Sequence, residues 1–153
     1  MRPRPRVFLD TSALFAALLS ESGGSRLLLK LGEAAVVQIL VGPRVLAELD
    51  GIVVRKVPEV RPTVALLLDA ASCEVGPMAG ELQLELAGKA LSYAPDAQIL
   101  AEALAVYPDY FVSLDREHFV GNPALSPLPF PVGTPGDCLT WLRRSGGALS
   151  ASG

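Results

Sequence analysis

The sequence predicts an α/β fold, a three-layer sandwich with a central, mostly parallel sheet flanked by helices. Three observations carry that prediction. Short apolar runs at 7–9, 36–41 and 110–114 alternate with longer segments of helical apolar spacing, an order that yields a parallel sheet with helices on its faces. Four acids, Asp10, Glu48, Asp96 and Asp115, fall at the ends of strand-like runs or in helices, positions that such a sheet gathers outside the carboxyl ends of its strands. The 153 residues, 50% of them apolar, suit one domain with one substantial core.

Element by element, residues 7–9 form a strand that ends at Asp10, and Thr11 or Ser12 caps the helix marked by Leu14, Phe15, Leu18 and Leu19. The turn at 22–25 leads through Ser25, a second cap, into a helix over 26–31 that Gly32 ends. A buried strand at 36–41 is broken by Gly42-Pro43, and Pro43 opens a helix with the stripe Val45, Leu46, Leu49, carrying Glu48. Pro58 and Pro62 bracket a loop before a helix over 64–71, and residues 73–75 read as a short strand or connector. Residues 81–91 fit a helix, although Leu82, Leu84 and Leu86 also alternate as in a strand. Pro95 starts a helix with Ile99, Leu100, Ala103 and Leu104 on one face and Asp96 in its first turn. A strand at 110–114 ends just before Asp115, the prolines between 123 and 131 forbid regular helix, and Thr134-Pro135 restarts a helix through Arg144. The domain therefore spans 1–144, with 145–153 as a flexible tail.

Mean hydropathy is positive, at +0.40, yet every apolar run is interrupted well before the roughly 20 residues of a membrane-spanning helix. Arg2, Arg4 and Arg6 followed by apolar residues imitate a secretory signal, but Asp10 interrupts the apolar stretch and no small-x-small cleavage site follows Leu19. Those three arginines alternate with prolines and suggest an extended basic arm or a solubilising tail. Cys73 and Cys138 have no metal-binding or disulfide spacing and read as buried thiols of a cytoplasmic protein. The net charge of −3 neither announces nor excludes a nucleic-acid binder; setting the four acids aside leaves 12 acidic against 13 basic residues, which allows local basic patches.

Four carboxylates brought together repel unless something positive sits among them, and an oxygen-only cluster suits a hard divalent cation such as Mg²⁺ or Mn²⁺. Asp96 has a bland alternative, since an acid in a helix's first turn interacts well with the macrodipole without any metal.

The segments Val7-Phe-Leu-Asp-Thr-Ser-Ala-Leu14, Val45-Leu-Ala-Glu-Leu-Asp50, Pro95-Asp-Ala-Gln-Ile-Leu-Ala101 and Phe111-Val-Ser-Leu-Asp-Arg-Glu-His-Phe119, in that order, make the chain resemble the PIN domain, the compact α/β nuclease fold of VapC-type toxins and several RNA-processing factors. The resemblance covers most of the chain. It implies that Asp10, Glu48, Asp96 and Asp115 are an acidic quartet binding Mg²⁺ or Mn²⁺ and hydrolysing phosphodiester bonds of single-stranded RNA, with Thr11 or Ser12 placing a hydroxyl beside it. Ser113 stands where many relatives carry Thr and preserves a hydroxyl, and Glu48-Leu-Asp50 makes Asp50 an additional acid and leans toward RNA-processing relatives rather than short toxins. The proline-rich stretch after Phe119 is longer than in a minimal toxin. The family also implies a homodimer and, as partner, an antitoxin or an RNA-processing protein.

On this reading Asp10, Asp96 and Asp115 hold the principal ion, and Glu48 completes a second site or orients the attacking water. Arg44, one turn before Glu48, is either its surface ion-pair partner or a phosphate contact, and Arg116 is a comparable RNA-binding candidate. His118, the single histidine, reads as structural or superficial rather than as a general base. Tyr93, Tyr107, Tyr110 and Trp141 have the chemistry to stack on bases, but most are expected to pack in or over the core. The rival from another class is a catalytically inactive domain that binds RNA or serves assembly. An aspartyl-phosphate enzyme is disfavoured because Ser12 occupies the place of its second acid.

Overall fold

The computed structural model describes residues 3–145; most of the predicted tail, from 146 onward, lies outside them. Five parallel strands, β1 (Arg6–Leu9), β2 (Gln38–Val41), β3 (Glu74–Val75), β4 (Tyr110–Val112) and β5 (Val132–Gly133), form one sheet in the order β3-β2-β1-β4-β5. The helices are α1 (Thr11–Leu19), α2 (Gly24–Glu33), α3 (Pro43–Lys56), α4 (Arg61–Ala70), α5 (Glu81–Ala90), α6 (Ala94–Val106) and α7 (Pro135–Ser145). They flank the sheet, giving the three-layer α/β sandwich that the alternation of elements predicts. No helix among the described residues is long and apolar enough to cross a membrane.

The central strands are almost wholly buried, and strands covered on both faces read as continuous apolar runs. Val7, Phe8 and Leu9 pair with Tyr110, Phe111 and Val112 on one side, while Arg6, Val7 and Phe8 pair with Gln38, Ile39 and Leu40 on the other. Phe8 stacks on Phe111 with ring centroids 5.4 Å apart, and Phe119 and Phe130 extend the stack on Phe111's side.

Strand order reverses beside β1, with β2 and β3 laid to one side and β4 and β5 to the other. This junction is the topological switch point, where connections leave in opposite directions and open a crevice outside the carboxyl ends of the strands. Asp10 directly follows β1 and Asp115 follows β4 by three residues, so both carboxylates stand at that crevice.

Several local expectations are corrected. Asp10 itself, not Thr11 or Ser12, caps α1, its side chain accepting from the Ala13 amide. Gly23 rather than Ser25 is the cap of α2, which runs through Gly32 to Glu33. The bracketed loop is a single 3-10 turn at Pro58–Val60, and Pro62 lies inside the first turn of α4, where a missing amide costs nothing. The 81–91 segment is helical as α5. Instead of belonging to a basic arm, Arg4 hydrogen-bonds Gln38 and Arg6 begins β1, its guanidinium capping the carbonyls of Val106 and Tyr107 at the end of α6. Both cysteines are free; Cys138 is buried and Cys73 partly so, and burial pushes both thiols up to about 12.

Candidate metal centre at the switch point

Asp10, Glu48, Asp96 and Asp115 line one open cavity of about 320 Å³, together with Thr11, Ser12 and Lys56. Four acids separated by up to 105 positions in the chain thus share a single space. Each arrives by a different local cause. Asp10 is fixed as the cap of α1, Glu48 lies one turn into α3, Asp96 sits in the first turn of α6 behind Pro95, and Asp115 opens the turn after β4.

Asp10 is only 3% exposed. Its Oδ1 accepts from the Ser12 hydroxyl (2.7 Å) and the Ala13 amide (3.0 Å), and its Oδ2 accepts from Ser113 Oγ (2.5 Å). Ser113 Oγ in turn accepts from the Asp115 amide (2.9 Å), and Ser12 Oγ accepts from the Leu114 amide (3.0 Å). Two hydroxyls therefore tie the end of β1 to the turn after β4. Burial drives the Asp10 carboxyl above its ordinary range, although the Ser113, Ala13 and Ser12 hydrogen bonds pull the other way.

Glu48 is held from both sides, accepting from Thr11 Oγ1 (2.8 Å) and from Arg44 Nε (2.9 Å). Arg44 is thus the ion-pair partner of Glu48, and with Arg55 it lines an adjoining groove along α3.

Asp96 and Asp115 form the open half of the site. His118 Nδ1 lies 3.0 Å from Asp115 Oδ2 and 3.6 Å from Asp96 Oδ2. One donor atom from each of these three residues falls within 4.8 Å of the other two, the only such trio among the described residues. Burial raises Asp96, and it is opposed by the charge of His118. Burial also pushes Asp115 upward, but the hydrogen bonds from the His118 amide and ring and the Glu117 amide outweigh it and hold the carboxyl below its ordinary value. The hydrogen bond to Asp115 raises His118 above its ordinary 6.5. When protonated, His118 adds its charge between the two carboxylates to that of Arg44, paired with Glu48, and of Lys56 at the same cavity.

The donor set fits a small divalent cation. Two carboxylate oxygens suit Mg²⁺ or Mn²⁺, and the added imidazole nitrogen shifts the preference toward Mn²⁺. The trio contains His118 where sequence reasoning placed Asp10; Asp10 borders the same cavity, but both of its oxygens are engaged by hydroxyls and an amide.

The remaining candidates separate. Asp50, two positions past Glu48, turns about 200° around α3, is exposed, and pairs with Arg61 at 3.1 Å, so it does not join the acids. Arg116 is exposed and lines a different cavity, on the α2–α7 side of α1. Tyr110 packs on Trp141, whereas Tyr93 is exposed and leans toward His118, with ring centroids 6.3 Å apart, and Tyr107 is exposed as well.

Two residues escaped the sequence reading. Lys56 borders the acids, and its signal was available: Glu48, Ile52 and Lys56 recur every four residues on one face of α3. Glu102, 1% exposed, had none. Its Oε1 accepts from the Arg44 amide (2.9 Å), capping α3 from a neighbouring helix and so fixing the helix that carries Glu48. A Cβ at Gly42 would run into the Glu102 side chain, which is why glycine precedes Pro43. The chain matches no model of a known protein family and no curated protein.

Proposed function

We propose that the chain is a PIN-type endoribonuclease that uses Mg²⁺ or Mn²⁺ to hydrolyse phosphodiester bonds of single-stranded RNA. The observation that carries the proposal is the gathering of Asp10, Glu48, Asp96 and Asp115 at the switch point of a parallel sheet, in one cavity open to solvent.

A phosphodiester resists attack because its anionic oxygens repel a nucleophile and its leaving alkoxide is poor. When bound, the ion supplies acidification of the attacking water and compensation of charge on the leaving oxygen. Asp96 and Asp115 are the residues that would hold it, with His118 as a third donor once deprotonated. Glu48, held by Thr11 and Arg44 at the same cavity, would orient the attacking water. Asp10 borders the cavity and, through Ser113, sets the backbone from which Asp115 projects. Lys56 offers the cavity's ammonium to a phosphate oxygen, and exposed Tyr93 offers a ring to a base.

A second reading, a catalytically inactive domain that binds RNA or serves assembly, is favoured by one feature: Asp10 is fully occupied as a helix cap and hydroxyl acceptor. Mn²⁺-dependent cleavage of unstructured RNA by the wild type and by Asp96→Asn separates the two. Cleavage by the wild type that the substitution abolishes supports the nuclease; a wild type without cleavage, or cleavage untouched by Asp96→Asn, removes it. The homodimer, the cytoplasmic location and an antitoxin or RNA-processing partner belong to the same proposal, and exposed Met78, Leu82 and Leu86 supply apolar surface for self-association.

A further inference from the structure

The acidic cavity has a neighbour. A groove of about 420 Å³ runs along α3 and shares Glu48 and Ile52 with that cavity, so the two adjoin along one turn of the helix. Its lining residues, Arg44, Ala47, Glu48, Gly51, Ile52 and Arg55, recur at the three- and four-residue steps of a single helix face. Ala47 and Gly51 keep the floor low, and an arginine stands toward each end.

The cations of this face are available to an anion. Arg55 and Lys56 are exposed and form no ion pair closer than 4 Å among the described residues; Arg55 lines the groove and Lys56 borders the acids. Arg44 reaches Glu48 through Nε, which leaves the terminal nitrogens of its guanidinium for another acceptor. The groove's own carboxylate, Glu48, is already engaged by Thr11 and Arg44, and Asp50 is held by Arg61.

Cations in a last helical turn are favoured by the macrodipole without any ligand. That accounts for Arg55 and Lys56 but not for Gly51. Glycine inside a helix is destabilising relative to alanine, and a fold retains it where a side chain would clash. Here a Cβ would meet one atom outside the local backbone within 4 Å, Arg55 Nη1 at 3.2 Å, the tip of a flexible side chain. Packing therefore does not demand glycine at 51. Its absent side chain leaves bare backbone beside the Arg55 guanidinium, a position that suits close approach of a ligand.

Resting on the nuclease reading above, we propose that this groove carries the RNA strand on one side of the bond to be cut. Arg55 and the terminal nitrogens of Arg44 contact its backbone phosphates, and Gly51 admits the strand close to α3. Charge complementarity and the shared Glu48–Ile52 turn select this occupant: a polyanion that reaches the acids has the groove's arginines beside it.

The test uses the full chain. Binding of a fluorescent oligouridylate, an unstructured RNA, is measured in EDTA at several salt concentrations, and thermal unfolding is recorded for every variant. Arg55→Ala should weaken binding and lower the slope of log K against log salt by about 0.7, the share of one phosphate on a single strand, and Arg55→Lys should restore the slope. Gly51→Leu places a strong helix former on the floor and should weaken binding at least as much while Tm stays level or rises. Should Gly51→Leu fail to fold, Gly51→Ala and the Arg55 variants decide. Arg61→Ala, which removes an exposed arginine outside the groove, should leave the slope unchanged. A wild type that does not bind the RNA, Gly51 variants that bind it as the wild type does, an unchanged slope in Arg55→Ala, or an equal loss in Arg61→Ala each overturns the groove. Mn²⁺-dependent cleavage is scored separately. Cleavage by a wild type whose RNA affinity is indifferent to Gly51 and Arg55 removes the groove and keeps the nuclease; the expected binding losses in a protein that never cleaves remove the nuclease and keep the groove as an RNA-binding face.

Discussion

The two halves of the acidic site use the same side-chain chemistry in opposite ways. Asp10 is sealed, with both oxygens engaged by Ser12, Ser113 and the Ala13 amide, and burial keeps its carboxyl reluctant to ionise. Asp115 is half-buried at the mouth, and hydrogen bonds from His118 and Glu117 hold it below its ordinary value, with Asp96 3.6 Å from the same imidazole. A buried carboxylate that serves as a helix cap organises the backbone; one at an open mouth remains available to an ion. The difference teaches that convergence of acids in space does not assign them a common role.

The largest expected effect of breaking the comparison is on the open half. Asp96→Asn and Asp115→Asn should each lower Mn²⁺ affinity, measured calorimetrically, by more than about 100-fold, the upper range for losing a mere outer-shell partner of a metal. Asp10→Asn should lower it less. Equal losses at all three positions would erase the distinction between the halves.

The second effect is on pH dependence. His118 is protonated below its raised value and must lose that proton, or swing away, for a cation to join Asp96 and Asp115. Mn²⁺ affinity should therefore rise as pH increases through the His118 titration, and His118→Ala should flatten the curve. An unchanged slope in His118→Ala would show that the imidazole does not compete with the metal.

Stability should respond at the sealed half. A carboxyl whose folded value lies above its unfolded value loses stability as pH rises from the ordinary 3.8 through the raised value. Asn cannot ionise and is as good a cap as Asp. Asp10→Asn should therefore leave the stability of the metal-free protein less dependent on pH than that of the wild type, which loses stability as pH rises through the Asp10 titration. Thermal unfolding in EDTA at several pH values reads it; a pH dependence of Tm that is the same in Asp10→Asn as in the wild type would mean that the hydrogen bonds, not burial, dominate at Asp10.

The smallest effect is expected outside the site. Asp50→Ala removes only an exposed pair with Arg61, a contact worth about 0–1 kcal/mol, and should leave Mn²⁺ affinity unchanged. A drop comparable to that of Asp115→Asn would restore Asp50 to the cluster.

How far the sequence could be read follows from which interactions are local. Residues 7–9 and 110–114 are apolar runs that end near an acid, so β1, β4 and the positions of Asp10 and Asp115 were legible without coordinates. Pro43 and Pro95 marked the starts of α3 and α6 for the same local reason. The two-residue β5 could not be seen among prolines, because its pairing with Phe111 and Val112 is tertiary. Glu102 reads in sequence as a solvent-facing helix residue, and only the start of α3 against α6 makes it a buried cap. His118 was set aside because no nucleophile lies near it in sequence; its meaning comes from Asp96, 22 positions away. Ser25 looked like a cap by residue type, but Gly23 took that place and left the hydroxyl without a partner among the described residues.

The most direct test of the metal centre is an anomalous difference map from crystals soaked in Mn²⁺. The account predicts a peak about 2.1 Å from carboxylate oxygens of both Asp96 and Asp115, inside the cavity that Asp10 and Glu48 border. A protein that takes up Mn²⁺ elsewhere, or whose four-acid cavity stays without a peak at saturating Mn²⁺, would contradict it.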